Sequence, residues 1–290
     1  MSDQLRHQEL NFDNVVIHSR FCHFEKQVLD SGLSIKLGHV GEEHYYIDGR
    51  KHTVRPGRFL VVNRHRSFDC HLRSDTPVEA LCIYLSDAVI REAAALARRS
   101  AESLLDAPFR YEAEAPTFLE KVYHLRENEL GEFLSVMKPL LAVGEPIDFE
   151  AFYYTLAEKL LRSQQQVEQQ MQGITAKRRA TREELYRRLC VARQYILEHF
   201  HKDIQLDELS REAALSKYHL LRTYKEAFGT TPYRQVLDLR LESSKALLGE
   251  GHTLEDIAFR LGFSDRRSFT KAFKKVYGMA PSAMRAEMGG

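Results

Sequence analysis

The spacing of hydrophobic and polar positions changes after about residue 85. Before it, apolar and polar residues alternate in short runs, as in residues 33–37, which predicts β-strands. Two turn signals, Asp48-Gly49 and Pro56-Gly57, lie between such runs. Two further strands are predicted at 67–72 and 78–85, split by the polar residues 74–77. Short strands at this spacing are typical of a barrel or a sandwich.

From residue 86 to about 172 the pattern becomes helical. Segments 87–105, 129–143 and 149–172 have helical composition, and prolines stand at breaks or starts between them. The last segment carries a stripe near one helical face: Phe152, Leu156, Lys159, Leu160 and Val167. Such a stripe favours packing inside the molecule over a dimer seam.

A linker is predicted at residues 173–180, where a glycine and a basic cluster follow a polar, glutamine-rich stretch. Residues 181–184 (Thr-Arg-Glu-Glu) predict the next helix start, with a capping residue and an acidic first turn. Residues 232–249 predict one long connecting helix, because Pro232 suits a helix start and Gly249 suits an end.

One stretch occurs twice near the C-terminus, at residues 206–232 and 254–281. Each copy opens with leucine and an acidic pair, passes through a small turn that ends in serine, and closes with glycine and proline. Ser216 and Ser264 are predicted N-caps of a second helix in each copy, and Gly229 and Gly278 are predicted C-caps. Each copy therefore predicts a helix–turn–helix.

The first copy contains SKYHLLRTYKEAFGTTP, and the second contains DIAFRLGFSDRRSFTKAFKKVYGMAPSAMR. Through these residues the region resembles the AraC/XylS family of transcription regulators. The resemblance implies that the second helix of each copy lies in one of two successive major-groove segments of double-stranded promoter DNA. It also implies RNA polymerase as a partner, and dimerisation through helices that follow an N-terminal barrel.

The candidate DNA-reading residues lie on the exposed side of each second helix. They are Lys217, Tyr218 and Arg222 in the first copy and Arg266, Arg267, Thr270 and Lys271 in the second. Arginine can bond guanine with two hydrogen bonds, and threonine or tyrosine can contact a thymine methyl group. Lys225, Lys274 and Lys275 lie further along and favour phosphate or solvent. Asp265 is expected either to cap its helix or to hold an arginine in place.

Residues 45–63, YYIDGRKHTVRPGRFLVVN, resemble the cupin-like sensory barrel of the same family. A small barrel of this kind can enclose one small-molecule effector, so the side chains of residues 45–47, 59–62 and 80–84 either line a pocket or fill the interior. The effector-binding residues themselves are not specified by the sequence.

A metal-dependent cupin enzyme is the main alternative. Its candidate ligands would be His39, Glu42, Glu43, His44, His52, His65 and His71. Their spacing lacks the His-x-His pair with a following glutamate that metal cupins use, so ordinary strand residues are favoured. Signatures of hydrolases, dinucleotide-binding folds and P-loops are also absent from the sequence. We therefore expect no catalytic residue, metal or cofactor.

The charge is small but unevenly distributed. The chain has 290 residues and a net charge of +1, and residues 181–290 hold 19 Lys and Arg against 15 Asp and Glu, a balance of +4. That basic half suits a phosphate backbone. The four cysteines, Cys22, Cys70, Cys82 and Cys190, have no paired spacing, which favours a reduced cytoplasmic protein over a disulfide framework or a zinc finger. The sequence shows neither a signal peptide nor an apolar run of membrane-spanning length.

The sequence thus predicts an α+β protein with two domains. Residues 1–172 form a cupin-like sensory and dimerisation domain (barrel 1–85, helices 86–172), 173–180 the linker, and 181–290 an all-α domain with helix–turn–helix units at 206–229 and 254–278. The predicted function is a sequence-specific DNA-binding transcription regulator, controlled by an effector in the barrel, with a homodimer as a candidate state. A constitutive DNA-binding scaffold with a purely structural barrel is the third alternative.

Overall fold

The computed structural model describes residues 4–11, 14–98 and 116–288. Its strands are β1 (Gln4–Asn11), β2 (Asn14–Val28), β3 (Leu33–Val40), β4 (Glu43–Ile47), β5 (Arg50–Val54), β6 (Arg58–Val62), β7 (Phe68–Leu85) and β8 (Val122–His124). Its helices are α1 (Asp87–Arg98), α2 (Glu129–Val143), α3 (Phe149–Gly173), α4 (Arg179–His199), α5 (Leu206–Glu212), α6 (Lys217–Phe228), α7 (Pro232–Gly249), α8 (Leu254–Arg260), α9 (Arg266–Tyr277) and α10 (Pro281–Met288). The predicted helix 87–105 is described up to Arg98, and its remainder lies outside the described residues.

The strands form one antiparallel, nearly closed barrel. The order is β1-β2-β7-β3-β6-β8, and β4 pairs with both β5 and β7. The predicted Asp48-Gly49 hairpin joins β4 to β5, and both of its residues have positive φ (48° and 72°), as a type I′ turn requires. The expected β-barrel in an α+β protein is therefore confirmed.

The predicted break at residues 74–77 is wrong, because β7 continues through it as one strand of 18 residues. In the pairing with β2, Arg73 lies opposite His23 and Val78 lies opposite Phe21, so the residues between them have no partner in that register. Pro77, which has no N–H to donate, is tolerated in such an irregular stretch.

The alternation of each strand gives the barrel an inner and an outer side. An inner cluster contains Tyr45, Ile47, Val54, Leu60, Val62, Phe68 and Cys70. Ile35, Leu37 and Ile83 alternate with the inner residues of β3 and β7 and are fully buried on the opposite side. The barrel therefore has apolar packing on both faces, and β2 and β7 contact α2.

One strand lies in the region predicted to be only helical. β8 pairs with β6, with Tyr123 opposite Phe59, and the two rings stack at 5.1 Å between centroids. A strand of three residues is too short to give an alternating signal in the sequence. The sheet consequently extends beyond the predicted barrel boundary at residue 85.

The apolar residues of the α3 stripe are buried, as the interpretation of intramolecular packing predicts, whereas Lys159 is half-buried. Phe152, Leu156, Leu160 and Val167 are each 3% exposed or less. Exposed apolar side chains lie instead on α2, where Val136 is 67%, Leu140 37% and Val143 68% exposed.

The chain divides into two compact units, residues 1–168 and 169–290. In the second unit, α5–α6 and α8–α9 are the predicted helix–turn–helix pairs, and α7 is the predicted connector. Helix α4 begins at Arg179 rather than Thr181, without a side-chain cap and without acidic residues in its first turn, so the predicted helix start at 181–184 is wrong. Within the described residues, no helix has the length and apolar character to cross a membrane.

Candidate nucleic-acid interface

Helix α6 is defined by the two caps that the sequence predicts. The Ser216 side chain accepts a hydrogen bond from the His219 N–H at the N-terminus. Gly229 ends the helix in the left-handed region, with φ 70°, and its N–H donates to the Lys225 carbonyl. These contacts satisfy backbone groups that a helix terminus leaves free.

Helix α9 is capped by Asp265, and the expectation of Ser264 as its N-cap is wrong. The Asp265 carboxylate accepts from the backbone N–H of Ser268 at 2.7 Å, and this bond lowers the pKa of Asp265 below its ordinary value. An aspartate can replace serine here because either oxygen accepts the same bond. Of the two roles expected for Asp265, capping is therefore confirmed. Arg266 pairs with Glu255 instead.

The inward faces of both second helices hold aromatic rings. Tyr224 in α6 is fully buried, and its hydroxyl donates to Gln235 of α7. Phe269 and Phe273 in α9 are also fully buried, and their rings lie 5.7 Å apart in an edge-on arrangement. This packing leaves the opposite, polar face of each helix for solvent or a ligand.

On α6, the candidate reading residues lie on that outer face. Tyr218 is 77% exposed. Lys217 is exposed and pairs with Asp207 of α5. Arg222 is exposed, and its Nε lies 3.6 Å from Glu226. Such exposed ion pairs contribute little to stability, so phosphate or base groups can replace them at low cost.

On α9, the candidate residues differ in how they are held. Arg266 donates to Glu255 of α8 at 3.0 Å. Arg267 and Lys271 are exposed, and neither has an ion-pair partner among the described residues. Thr270 is half-buried between the outer face and the core. The first turns of α6 and α9 both carry exposed cations. Each helix can therefore enter a major groove with its N-terminal end, as recognition helices do.

Arg240 is a structural residue that the sequence interpretation missed. From the connector α7, its guanidinium donates to the carbonyls of Phe200, Lys202 and Gly262, at 2.6 to 2.7 Å. The first two follow α4, and Gly262 lies in the turn between α8 and α9. One side chain of the connector therefore links the segment between α4 and the first helix–turn–helix unit to the turn of the second unit. In the sequence, the signal that could have identified this residue is an arginine next to the apolar positions of α7.

The turns of the two helix–turn–helix units each contain a residue with positive φ at the equivalent position. Ala214 has φ 50° and Gly262, at the equivalent position, has φ 74°. A Cβ atom on Gly262 would meet the His201 carbonyl oxygen at 2.4 Å. The second turn therefore requires glycine, whereas the first holds an alanine in the left-handed region.

The segment before α4 is anchored to α6. Ile174 is buried, and the backbone N–H of Thr175 donates to the Glu226 carboxylate at 3.0 Å. The other carboxylate oxygen of Glu226 faces Arg222. One acidic side chain is thus shared between a predicted linker residue and a candidate DNA-reading residue.

The barrel is a separate candidate site. Its inner side carries Lys36, Glu43, Tyr45, Cys82 and Tyr84 among the apolar residues. Of the residues predicted to line a pocket or fill the interior, Tyr45, Leu60 and Val62 belong to the packed inner cluster. An open groove of about 620 Å³ lies by β4 and β7, lined by Tyr46, Asp48, Phe68, Asp69 and His71 among others. That volume is in the range of small-molecule sites.

Among the residues that the structure describes, metal-ligating side chains do not converge. In the ranges 4–11, 14–98 and 116–288, no three His, Cys, Asp or Glu side chains form a group that could hold a metal ion. His44 bonds Thr53, His65 bonds Asp30, and His71 contacts Glu25. The candidate ligands of the enzyme alternative are therefore dispersed around the barrel.

Two family models match the chain. The AraC-like ligand binding domain matches residues 22–140, and a helix-turn-helix domain matches residues 209–287.

Curated relatives match over about a third of this chain. The probable transcriptional regulator LumQ of Photobacterium leiognathi is 38% identical over 89 residues, which cover 30% of this chain and 36% of LumQ. The probable transcription factor PqrA of Proteus vulgaris is 35% identical over 83 residues, which cover 28% of this chain and 68% of PqrA. The MmsAB operon regulatory protein of Pseudomonas aeruginosa is 34% identical over 92 residues, which cover 31% of this chain and 30% of that protein. The matched segments thus span about a third of LumQ and of the MmsAB regulator.

Solved structures with similarity include ToxT from Vibrio cholerae, which is 11% identical and covers 97% of this chain and 100% of ToxT, with a TM-score of 0.36. The C-terminal domain of AraT, a response regulator from Geobacillus stearothermophilus, is 29% identical. It covers 34% of this chain and 84% of that domain, with a TM-score of 0.33.

Proposed function

Because this chain belongs to the AraC family of transcriptional regulators, we propose that it binds promoter DNA through α6 and α9 and regulates transcription there. The observation that carries the proposal is the pair of second helices, each with a buried aromatic face and an outer face of exposed cations. Each helix enters one major-groove segment, and promoter DNA in the cytoplasm is its target.

The seven candidate residues divide by their contacts. Arg266 and Arg222 are held by carboxylates, which orients each guanidinium for a base edge. Arg267 and Lys271 have no such constraint and suit phosphates or bases. Lys217, Tyr218 and Thr270 complete the two reading faces.

The barrel supplies control by a small molecule. The match to a ligand-binding domain family over residues 22–140 supports this role. For an effector to act, it must bind two states of the protein with different affinity. This function is sensing and not catalysis, and RNA polymerase is the partner through which transcription changes.

The chain further forms a homodimer through α2. Val136, Leu140 and Val143 recur at spacings of four and three residues, which places them on one helical face, and all three are exposed. A second copy of the same face would cover this stripe in the two-fold manner of most homodimers.

Selection of bound sequences from a random DNA library tests the DNA-binding proposal. We expect an enriched site with two short half-elements about one helical turn apart, roughly 10 base pairs. No enriched site, with or without metabolites from a cell extract, would contradict the proposal.

On the selected site, the alanine variants Arg222→Ala and Arg266→Ala should each lose about 1–3 kcal/mol of specific binding and relax the preference at one base pair. Lys275→Ala is the matched control, since it should weaken binding to all sequences alike and reduce the salt dependence by about one counterion. Unchanged specific affinity in both arginine variants would remove these residues from the reading set.

A further inference from the structure

The inner side of the barrel holds a buried lysine in direct contact with a cysteine. Lys36 Nζ lies 2.7 Å from Cys82 Sγ and 3.2 Å from the Tyr84 hydroxyl. Lys36 of β3 and Cys82 of β7 are directly opposite each other in the strand register. Lys36 is 2% exposed, whereas Cys82 is half-buried. Backbone pairing thus fixes the contact, and Cys82 is the more exposed residue of the two.

The hydrogen bonds of this lysine go to the thiol of Cys82 and the phenol of Tyr84 rather than to a carboxylate. Among the described residues, no carboxylate forms an ion pair with Lys36. Glu43 lies in the same interior, but burial raises its pKa and the Tyr45 hydroxyl donates to it. Burial by itself lowers the pKa of Lys36, yet Cys82 and then Tyr84 outweigh this and raise the pKa above its ordinary value. The thiolate is the nucleophilic form of a cysteine, and the Lys36 ammonium, in direct contact with the Cys82 sulfur, is a proton donor beside it.

We propose that Cys82 and Lys36 form an oxidative modification site, where a hydroperoxide converts the pair into a sulfenamide cross-link between β7 and β3. This role is additional to the proposed DNA binding and does not depend on it. In the first step, the Cys82 thiolate attacks one peroxide oxygen, so an S–O bond forms while the O–O bond breaks. Sulfur loses two electrons and the peroxide gains them. The departing alkoxide takes a proton from the Lys36 ammonium and leaves as an alcohol, or as water when the oxidant is hydrogen peroxide.

This first step prepares Lys36 for the second. Once the thiolate has become a neutral sulfenic acid, the amine has lost its anionic partner, and burial keeps it neutral. The amine nitrogen then attacks sulfur, an S–N bond forms, and the hydroxyl leaves with an amine proton as water. No second oxidant is needed. The nitrogen and the sulfur start 2.7 Å apart, closer than the roughly 3–3.5 Å from which bound groups react efficiently.

The second cysteine of the interior is a matched control. Cys70 is 4% exposed, and burial raises its pKa to about 12. It therefore remains a thiol, which reacts slowly with peroxides. The same barrel thus holds one cysteine in hydrogen-bond contact with the Lys36 ammonium and one, Cys70, whose pKa burial raises.

The test is to treat the full chain with hydrogen peroxide, quench it, block the remaining thiols and analyse proteolytic peptides by mass spectrometry. We expect a peptide pair joined through Lys36 and Cys82 that has lost about 2 Da, two hydrogen atoms, and that dithiothreitol separates again. Cys70 should be recovered as the blocked thiol.

One variant distinguishes the role of Lys36 as a nucleophile from its role as a positive charge, and a second variant is a control. Lys36→Arg keeps a cation but cannot form the link, so Cys82 should advance to the sulfinic acid, a gain of about 32 Da. Cys70→Ser should cross-link as the unaltered chain does. Because the unaltered chain gives the main result, a variant that fails to fold does not prevent a conclusion. Two results with the unaltered chain would overturn the proposal. In the first, Cys82 accumulates sulfinic acid while Lys36 stays free. In the second, Cys70 is oxidised as fast as Cys82.

Discussion

At the residue scale, the two helix–turn–helix units differ at a single strained position. Both turns need a residue with positive φ, and the second uses Gly262 while the first uses Ala214. An L-residue in the left-handed region costs about 1–2 kcal/mol, and glycine avoids this at an entropic cost of about 0.5–1 kcal/mol. The first unit therefore carries strain that the second does not.

We expect Ala214→Gly to raise the free energy of unfolding by about 0.5–1 kcal/mol, because the relief of strain exceeds the added chain entropy. Gly262→Ala should instead lower it, since the new Cβ would lie 2.4 Å from the His201 carbonyl oxygen. Urea denaturation measures both changes. A loss of stability in Ala214→Gly would show that the alanine methyl group contributes packing that outweighs the strain.

The two turn serines provide a second comparison, because only one of them caps a helix. Ser216→Ala should cost about 1 kcal/mol, since the His219 N–H loses its acceptor. Ser264→Ala should cost clearly less, because Asp265 holds the cap of α9. Thermal unfolding monitored by circular dichroism gives both values, and equal losses would contradict the assignment of Asp265.

At the scale of elements, α7 connects the two helix–turn–helix units, and its residue Arg240 makes three hydrogen bonds that hold neighbouring segments in place. The guanidinium satisfies three backbone carbonyls that end or join helices. Charged hydrogen bonds of this kind are worth more than neutral ones. The side chain also lies over the Phe263 ring, 5.6 Å from its centroid.

Arg240→Met should lower the free energy of unfolding by about 3 kcal/mol, because partly buried carbonyls lose their donors. In the folded variant, affinity for a site with both half-elements should fall, while affinity for an isolated half-element should change little. Gel-shift titrations against both DNAs test this. Arg234→Met, which removes only an exposed pair with Asp238, is the matched control. An equal loss of affinity for the two DNAs would show that Arg240 does not fix the position of one helix–turn–helix unit relative to the other.

The elements that the sequence predicted are those with strong local signals. The span of α2, the two glycine caps and the Asp48-Gly49 hairpin each follow from residues close together in the chain. Three features could not be predicted because they depend on partners distant in sequence. β8 depends on its pairing with Arg58–Val62, and the irregularity within β7 depends on its pairing with β2. The role of Arg240 depends on backbone carbonyls far from it in the chain. Among the candidate reading residues, helical spacing indicated the exposed side, but it could not show that Glu255 holds Arg266.

At the scale of the whole molecule, the exposed apolar stripe of α2 (Val136, Leu140 and Val143) is the proposed homodimer interface. Val136 and Val143 are the most exposed members, and charges there would have to be desolvated in an interface. The double variant Val136→Glu with Val143→Glu should therefore be monomeric where the unaltered chain is dimeric, at micromolar concentration, in sedimentation velocity.

Leu96→Glu is the control for this change, since Leu96 is an exposed apolar residue of α1 outside the stripe. It should sediment as the unaltered chain does. An unaltered chain that stays monomeric would contradict dimerisation, and a double variant that stays dimeric would place the interface elsewhere.

The anchoring of the segment before α4 decides where a minimal DNA-binding fragment can be excised. A fragment that starts at residue 181 lacks Gln170, which accepts from the buried Tyr186 hydroxyl at 2.7 Å, and Thr175, which donates to Glu226. Its Glu226 would then be free to turn fully towards Arg222, one of the candidate reading residues. A truncation at residue 169 keeps both contacts. The affinity measured on a shorter piece would therefore report a reading helix with a different hydrogen-bond partner.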